Sequence, residues 1–355
     1  MTATARPGDP TITVVVLSHD YARFLPAAID SALGQKREVD VLVVDDGSTD
    51  ESREVIDGYG DAVRRLYKSN GGNASAVNAA GRGVRSDVVM FLDADDVLHP
   101  EAAAEVARAF TPTCSKVQFR LSLIDAEGRR TGVDPPPWVA LPSGDVVPQL
   151  LRTGRYPTPV MTGNAFARRV LDGLLPIPER DFRNTNDGYL NPLAPFHGPV
   201  VSIDRELGSY RLHGQNLWAY SGGVTLGGLR QRLDYDLTRS RYLAAAAREH
   251  GHEVGADLPL RDPLHVVQRL VSLRLDPAGH PVPGDRAPRL VAAGLRALRA
   301  DAALRLPERA LLAATLPAVA LLPRPAVQRL SSAVLSSRPR PAWLRVLARA
   351  LRRQR

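Results

Sequence analysis

Apolar runs of strand length alternate with helix-like segments over the first hundred residues of the chain. The runs predict strands at residues 11–17, 39–44, 63–67 and 88–92, with helices at 25–33, from about 50, at 74–84 and at 100–110. Ser48 or Thr49 is the expected N-cap of the second helix. Short connections between alternating elements are typical of a parallel sheet built from right-handed crossovers. The pattern therefore predicts an α/β domain with a mostly parallel sheet flanked by helices.

The regularity changes after residue 110. Val117, Phe119, Leu121 and Leu123 alternate with polar residues, which predicts a strand with one buried face. Residues 125–160 are rich in Pro and Gly and predict a long functional loop or lid.

Two more strands are predicted at residues 200–203 and 207–212, and from about residue 226 the chain becomes helical and rich in Arg, Leu and Ala. We therefore expect a catalytic domain at residues 1–222 and a helical C-terminal region at residues 223–355.

Composition narrows the class of protein. With 355 residues and 44% hydrophobic content, the chain can bury a large core. A single cysteine, Cys114, excludes an internal disulfide framework and a zinc site of several thiolates. The N-terminus shows neither a signal peptide nor a membrane anchor, so we expect a cytoplasmic protein.

Charge is unevenly spread. Residues 286–355 hold 15 Arg, one Asp and one Glu, which gives this segment a net charge of +13. The whole chain has a net charge of +8, so residues 1–285 together carry −5. A strongly basic segment indicates an anionic partner, either lipid or nucleic acid.

Polar residues follow each of the first four predicted strands. They are Ser18, His19, Asp20 and Tyr21, then residues 45–50 (DDGSTD), then 70–73 (NGGN), then Asp93, Asp95 and Asp96. Parallel strands bring such loops to one edge of the sheet, where open α/β sheets bind their ligands. Carboxylates, amides and glycines there suit a nucleoside diphosphate with Mg²⁺ or Mn²⁺. The alternatives are ordinary turn chemistry and an acidic loop that opens a helix.

These motifs resemble the family 2 glycosyltransferases, which have the GT-A fold and move a sugar from a nucleotide donor to an acceptor. Residues 43–50 (VVDDGSTD) resemble the nucleotide-binding motif, and residues 93–95 resemble the metal-binding D-x-D motif. The resemblance implies that Asp46 contacts the uracil or ribose. It also implies that Asp95 holds a divalent cation, Mn or Mg, with Asp93 beside it on the metal or nucleotide.

Two further donor segments are similar to the family. Residues 70–78 (NGGNASAVN) resemble the motif before the fourth strand, which adds Asn70 and Asn78 to the donor site, although Val77 stands where an Arg is common. Ser18 and His19 occupy the donor-side positions after the first strand, with His19 where an aromatic residue is usual.

Later segments carry the chemistry of transfer. Residues 162–166 (TGNAF) resemble the acceptor side, and residues 186–190 (NDGYL) stand where the family has its general base. The resemblance implies that Asp187 takes the acceptor proton in an inverting transfer, with Asp181 as the fallback. Residues 210–216 (YRLHGQN) are similar to a segment whose His completes the metal shell, so the resemblance implies that His213 is a third metal ligand; the alternative is a solvent-facing His just past a strand.

The tail leaves two hypotheses open. Residues 343–353 suit an amphipathic helix on anionic lipid, which would hold the enzyme at the inner face of the membrane near a lipid-linked acceptor. Alternatively, the tail helices pack on the catalytic domain. The apolar residues 310–322, interrupted by Pro317, are too short to span a bilayer.

Three other functions remain as alternatives. A nucleotidyltransferase would need a basic, Gly-rich phosphate loop after the first strand, which is missing. A nucleic-acid-binding protein would use the Arg-rich tail, but residues 1–285 are acidic. An inactive glycosyltransferase relative is the third.

Overall fold

The computed structural model describes residues 8–213, 225–301 and 303–335. These residues form two compact units. The first contains the described residues up to Val147 together with Tyr156–His213, and the second contains Pro148–Arg155 together with the described residues after His213. The predicted boundary at residue 222 lies outside the described residues.

The first unit is built on a nine-stranded sheet, counted over the described residues. Its strands are β1 (Ile12–Ser18), β2 (Asp40–Asp45), β3 (Arg64–Tyr67), β4 (Val88–Asp93), β5 (Val97–Leu98), β6 (Lys116–Asp125), β7 (Arg130–Asp134), β8 (Asn164–Ala167) and β9 (Val200–Leu212). Their order is β3-β2-β1-β4-β8-β6-β9-β5, and β7 pairs with β6. The first four strands are parallel, as predicted, and β6 is parallel to β9.

Helices accompany the strands along the chain. They are α1 (Leu25–Leu33), α2 (Ser52–Gly58), α3 (Asn73–Gly83), α4 (Ala102–Ala109), α5 (Val147–Thr153), α6 (Arg168–Leu174), α7 (Glu179–Phe182) and α8 (Asn186–Leu193). All of them belong to the first unit except α5, which after Val147 belongs to the second. Strands β1 and β4 share a buried core with α1 and α4, and they contribute Val14, Val16, Met90 and Leu92 to it. Alternation of strand and helix up to residue 110 is therefore confirmed.

The predicted cap of α2 was wrong. The helix begins at Ser52, and neither Ser48 nor Thr49 caps it. Both are used by the preceding loop instead, since Ser48 Oγ accepts the backbone N–H of Asp20 and Thr49 donates its own N–H to the Asp20 carboxylate.

The alternation in β6 was misinterpreted. Both faces of this strand are buried, including Lys116, Gln118 and Arg120. The side chains that were expected to face water are covered because β6 lies inside the sheet and the segment before β8 crosses its polar face. The residues predicted as one loop, 125–160, contain β7 and α5. The two strands predicted after residue 200 are one, β9.

The second unit is helical, as predicted for the C-terminal region. Its helices are α9 (Leu226–Glu249), α10 (Pro263–Leu275), α11 (Ala287–Ala300), α12 (Leu306–Leu321) and α13 (Arg324–Leu335). Leu270, Leu290, Leu316 and Val327 share its core. Most of the apolar stretch 310–322 is therefore a packed helix, α12. Among the described residues, no helix has the length and apolar character to cross a membrane.

Candidate active site

The loops that follow β1, β2 and β3 are bonded to one another at the carboxyl edge of the sheet. Asn70 Nδ2 lies 2.7 Å from His19 Nε2, and Thr49 N donates to Asp20 Oδ1 at 2.6 Å. Gly47 has a φ of +74°, and a Cβ on it would lie 2.5 Å from the backbone nitrogen of Asn70. Only glycine allows this approach of two loops. The predicted convergence of polar loops is present in the structure.

Asp46 lies at the centre of these loops and is almost fully buried. Its carboxylate accepts hydrogen bonds from the backbone nitrogens of Gly71 and Gly72, at 3.0 and 2.6 Å, and from Lys68 Nζ at 2.5 Å. These bonds hold the third loop in place. The predicted contact between Asp46 and the donor base or ribose stays a prediction.

Ser18 ends β1 with a buried hydroxyl. The side chain is 3% exposed, and its Oγ makes no hydrogen bond among the described residues. Since buried polar groups are nearly always hydrogen-bonded, this hydroxyl, which lies opposite Asp45 in the sheet, is available to a bound ligand or a water. The residue lies where the sequence predicts the donor.

Asn78 does not join this cluster. It lies on α3 and uses its amide on the chain before α7: Nδ2 donates to Ile177 O at 2.9 Å, and Oδ1 accepts from Ile177 N at 2.7 Å. Its observed bonds fix α3 to that segment, while its predicted donor contact remains untested.

Three carboxylates crowd the end of β4. Burial, followed by the charges of Asp95 and Asp187, raises the pKa of Asp93 to about 7. Burial, followed by the charges of Asp95 and Asp93, raises the pKa of Asp96 well above its usual range. Asp96 is held by Thr162 Oγ1 at 2.6 Å and by the backbone nitrogen of Arg211 at 2.9 Å. Crowded acids of this kind are stabilised by a cation.

His213 joins the acids from the end of β9. Its Nε2 lies 2.9 Å from Asp95 Oδ2, and its ring packs against Tyr21 and Phe24 at centroid distances of 5.7 and 5.2 Å. Over the residues that the structure describes, no three or more His, Cys, Asp or Glu side chains form a preassembled metal cluster. The donor set nevertheless fits Mg²⁺ or Mn²⁺, because such ions keep waters and substrate phosphates beside one or two carboxylates.

Helix α8 brings Asp187 to the same edge. Asn186 Nδ2 donates to Asn73 Oδ1 at 2.5 Å, and the Asn73 side chain is hydrogen-bonded to Asp93. Asp187 lies in the first turn of α8 and acts electrostatically on Asp93. The fallback residue, Asp181, lies exposed on α7.

The sequence analysis assigned no individual role to three polar residues of this edge. Asn73 and Asn186 link β4 to α8, and Arg183 Nη2 donates to Asn70 Oδ1 at 2.7 Å. The two asparagines lie within the family-like segments 70–78 and 186–190, and this position is the only feature of the sequence that could have identified them. Arg183 gives none in the sequence, since its approach depends on how α7 packs against Gly72.

Part of the sequence matches a known family and known proteins. Residues 13–135 match the family described as Glycosyl transferase family 2. An uncharacterized glycosyltransferase of Nostoc sp. (strain PCC 7120) is 32% identical over 212 residues, which cover 58% of this chain and 66% of that protein. Chondroitin synthase of Pasteurella multocida is 35% identical over 105 residues, 28% of this chain and 11% of that protein. The chain thus spans less than two thirds of the length of these relatives.

Among solved structures, S. aureus TarS 1-349 in complex with UDP superimposes with a TM-score of 0.50 at 16% identity, covering 90% of each chain. The same protein without that ligand gives a TM-score of 0.51 at 15% identity. Likeness at this level of identity concerns the fold, and it confirms the GT-A-type α/β architecture that the sequence predicts.

Proposed function

Because residues 13–135 are a glycosyl transferase family 2 domain, we propose that the protein transfers a sugar from a nucleotide-diphosphate donor to an acceptor hydroxyl, with a divalent cation and with inversion at the anomeric carbon. The observation that carries the proposal is the edge of the sheet, where bonded polar loops, the orphaned Ser18 hydroxyl and the crowded acids of β4 adjoin. Polar loops can hydrogen-bond to the base and ribose of a nucleotide. A negatively charged pyrophosphate can lie beside the acids only if a cation is bound between them.

The donor residues have separate roles in this proposal. Ser18 gives its free hydroxyl to the nucleotide, His19 offers a ring face to the base, and Asp46 orders the loop that surrounds the base or ribose. Asn70 supports His19 through the bond between their side chains. Asn78 would act from α3, whose position it fixes.

Asp95 and Asp93 would hold the divalent cation, with His213 as a neutral imidazole ligand or as the partner that orients Asp95. When bound, the cation supplies charge that stabilises the departing diphosphate. Family 2 membership together with this donor set supports Mn²⁺ or Mg²⁺, and the TarS structure with UDP suggests a uridine nucleotide as the first donor to test.

Asp187 is the proposed general base. The acceptor oxygen attacks the anomeric carbon from the face opposite the diphosphate, the bond from that carbon to the phosphate oxygen breaks with its electron pair, and the hydroxyl proton passes to Asp187. The electrostatic coupling of Asp187 to Asp93 supports its presence beside the donor. No covalent intermediate with the protein is needed.

The acceptor is proposed from the rest of the chain. In this proposal residues 1–222 are the catalytic domain. Residues 223–355 are a helical region that brings the enzyme to anionic lipid at the inner face of the membrane. The +13 charge of residues 286–355 supports this, and it favours a lipid-linked acceptor in cell-surface polysaccharide or glycolipid synthesis. Nucleic-acid binding is not favoured, since residues 13–135 match a glycosyltransferase family and residues 1–285 carry net negative charge.

A panel of nucleotide sugars tests the proposal. Purified protein is heated with each of several uridine, guanosine and thymidine diphosphate sugars, with and without Mn²⁺, and donor hydrolysis is measured in parallel. We expect one donor to raise the melting temperature and to be hydrolysed only with the cation. If no nucleotide sugar does either, the enzyme is an inactive relative or has another function.

A further inference from the structure

A lysine side chain is completely buried beneath the proposed active site. Lys116 begins β6, is 0% exposed and has no part in the proposed function. Its Nζ lies 2.9 Å from Thr158 Oγ1, 2.6 Å from Asn164 Oδ1 and 2.9 Å from Asn191 Oδ1. Three acceptors around one nitrogen match the three N–H donors of an ammonium group.

The two asparagine amides are oriented for this contact. Asn164 Nδ2 donates to the carbonyls of Pro159 and Val160, and Asn191 Nδ2 donates to that of Pro159. Because the amide nitrogens are used in this way, both Oδ1 atoms face Lys116. The site is therefore built for a cation.

Two aromatic rings also favour the charged form. Lys116 Nζ lies 5.3 Å from the ring centroid of Tyr156 and 5.8 Å from that of Phe166. Burial lowers the pKa of Lys116 well below its usual range, and the charge of Asp187 opposes that effect. The lysine and the proposed base thus interact electrostatically.

Asn191 connects the lysine to the base. Asp187 and Asn191 are four residues apart on α8, so they lie on one face of the helix, one turn apart. Asn191 is held at both ends, since its side chain accepts from Lys116 and its backbone carbonyl accepts from the Tyr156 hydroxyl at 2.9 Å. The helix that carries Asp187 is fixed at this turn.

We propose that Lys116 is a positioning residue for sugar transfer: through the hydrogen bond from its Nζ to Asn191 it fixes α8, the helix that carries Asp187. The inference rests on the proposed function, because it requires Asp187 to act on the acceptor. A displacement of about 1 Å at a reacting group costs up to about a hundredfold in rate.

The test compares Lys116→Met with Gln118→Met. Gln118 lies on the same strand, is equally buried and bonds to Ser202, away from α8. With the donor found in the nucleotide-sugar panel, we expect Lys116→Met to lower kcat for transfer by about tenfold or more, with donor Kd unchanged. Gln118→Met should leave kcat within about twofold. Equal effects of the two variants on kcat, or an equal loss of donor affinity and kcat, would overturn the inference.

A double variant separates this inference from the proposed function. If Lys116 acts through Asp187, adding Lys116→Met to Asp187→Asn should lower the residual rate no further, whereas a general structural defect would multiply the two losses. If Asp187→Asn alone transfers normally, the proposed base is wrong. If Asp187→Asn is inactive while Lys116→Met is normal, only the positioning role is wrong.

A variant on the helix side covers a failure of Lys116→Met to fold. Asn191→Leu removes the acceptor from α8 and keeps the lysine with its other two partners. We expect the same loss of kcat at unchanged donor Kd, with folding checked by the melting temperature. Normal kcat in this variant would overturn the inference.

Discussion

His213 Nε2 lies 2.9 Å from Asp95 Oδ2, although 118 residues separate the two in the chain. The contact joins the end of β9 to the end of β4 beside two more acids, and both side chains are nearly buried. An imidazole this close fixes the direction of the Asp95 carboxylate. The pair is therefore the first target for testing a cation at this edge.

Asp95→Ala should abolish cation-dependent binding of the donor nucleotide, because it removes the central proposed oxygen ligand. His213→Ala should weaken Mn²⁺ affinity by about ten- to a hundredfold, the usual effect of losing a group that orients a ligand. Calorimetry with Mn²⁺ and a nucleoside diphosphate measures both. Asp172→Ala is the control, since this acid lies exposed on α6 and pairs with Arg168. Unchanged Mn²⁺ uptake in Asp95→Ala would contradict the proposed metal site.

Asp187→Asn should keep donor binding and lose transfer. The amide preserves the shape of the side chain but cannot take a proton, so kcat should fall by about 10²- to 10⁴-fold. Calorimetry checks donor affinity, and product formation from the acceptor checks transfer. Asp181→Asn on α7 is the matched control and should transfer normally. The reverse result, an active Asp187→Asn and an inactive Asp181→Asn, would move the base to Asp181.

Ser18→Ala should separate binding from stability. The Ser18 hydroxyl is buried without a partner among the described residues, so its removal should leave the melting temperature unchanged or slightly higher. Donor affinity should fall by about 1 kcal/mol, a typical net value for one hydrogen bond. Ser52→Ala is the control, because its buried hydroxyl accepts the backbone N–H of Tyr21 and its loss should destabilise the protein. A lower melting temperature with unchanged donor affinity in Ser18→Ala would show a structural role instead.

The sequence predicts the parallel part of the fold well because its signals are local. Apolar runs such as residues 88–92 need burial on both faces, and the polar residues that follow them must then meet at one edge. The prediction failed at β6, where Lys116, Gln118 and Arg120 looked solvent-facing. Their partners, such as Asn191 and Ser202, lie about 75 to 84 residues away in sequence, so no local pattern reveals them.

The residues of the candidate site also fall into those that local sequence predicts and those that it does not. Its loops after β1 to β4 are visible in the sequence, because each follows directly from a strand. The approach of Asp187 is not, since it depends on the packing of α8 against the N-terminus of α3 through Asn186 and Asn73. Only the family resemblance identified Asp187 in advance.

Asp134→Asn should change the pH dependence of stability. Burial raises the pKa of Asp134 from 3.8 to about 6, despite a hydrogen bond from Val160 and the charge of Arg120. The folded protein therefore binds this proton more tightly than the unfolded chain between about pH 4 and 6, and stability falls as pH rises through that range. Relative to wild type, the Asn variant should gain about 2 kcal/mol on going from pH 4 to pH 7, measured by urea unfolding.

Asp125→Asn gives the opposite sign and serves as the control. Hydrogen bonds from the backbone and side chain of Arg129 lower the pKa of Asp125, so its contribution is present above its unfolded pKa and is lost in acid. This variant should be less stable than wild type at pH 7, and the difference should shrink toward pH 3. A parallel response of the two variants to pH would contradict both assignments.

The basic residues beyond residue 335 lie outside the described residues, so their predicted amphipathic helix needs a solution test. Cutting the chain at residue 285 would remove Leu290, Leu316 and Val327 from the core of the second unit, so substitution is the better design. Arg352→Gln with Arg353→Gln should weaken binding to vesicles of anionic lipid by about thirtyfold, at about 1 kcal/mol per Arg. Arg241→Gln with Arg248→Gln, two exposed positions on α9, removes the same charge from another helix and should bind as wild type. The membrane hypothesis would be wrong if the two variants sedimented equally with the vesicles, or if the wild type did not sediment with them. The alternative, that the tail helices pack on the catalytic domain, would then be favoured.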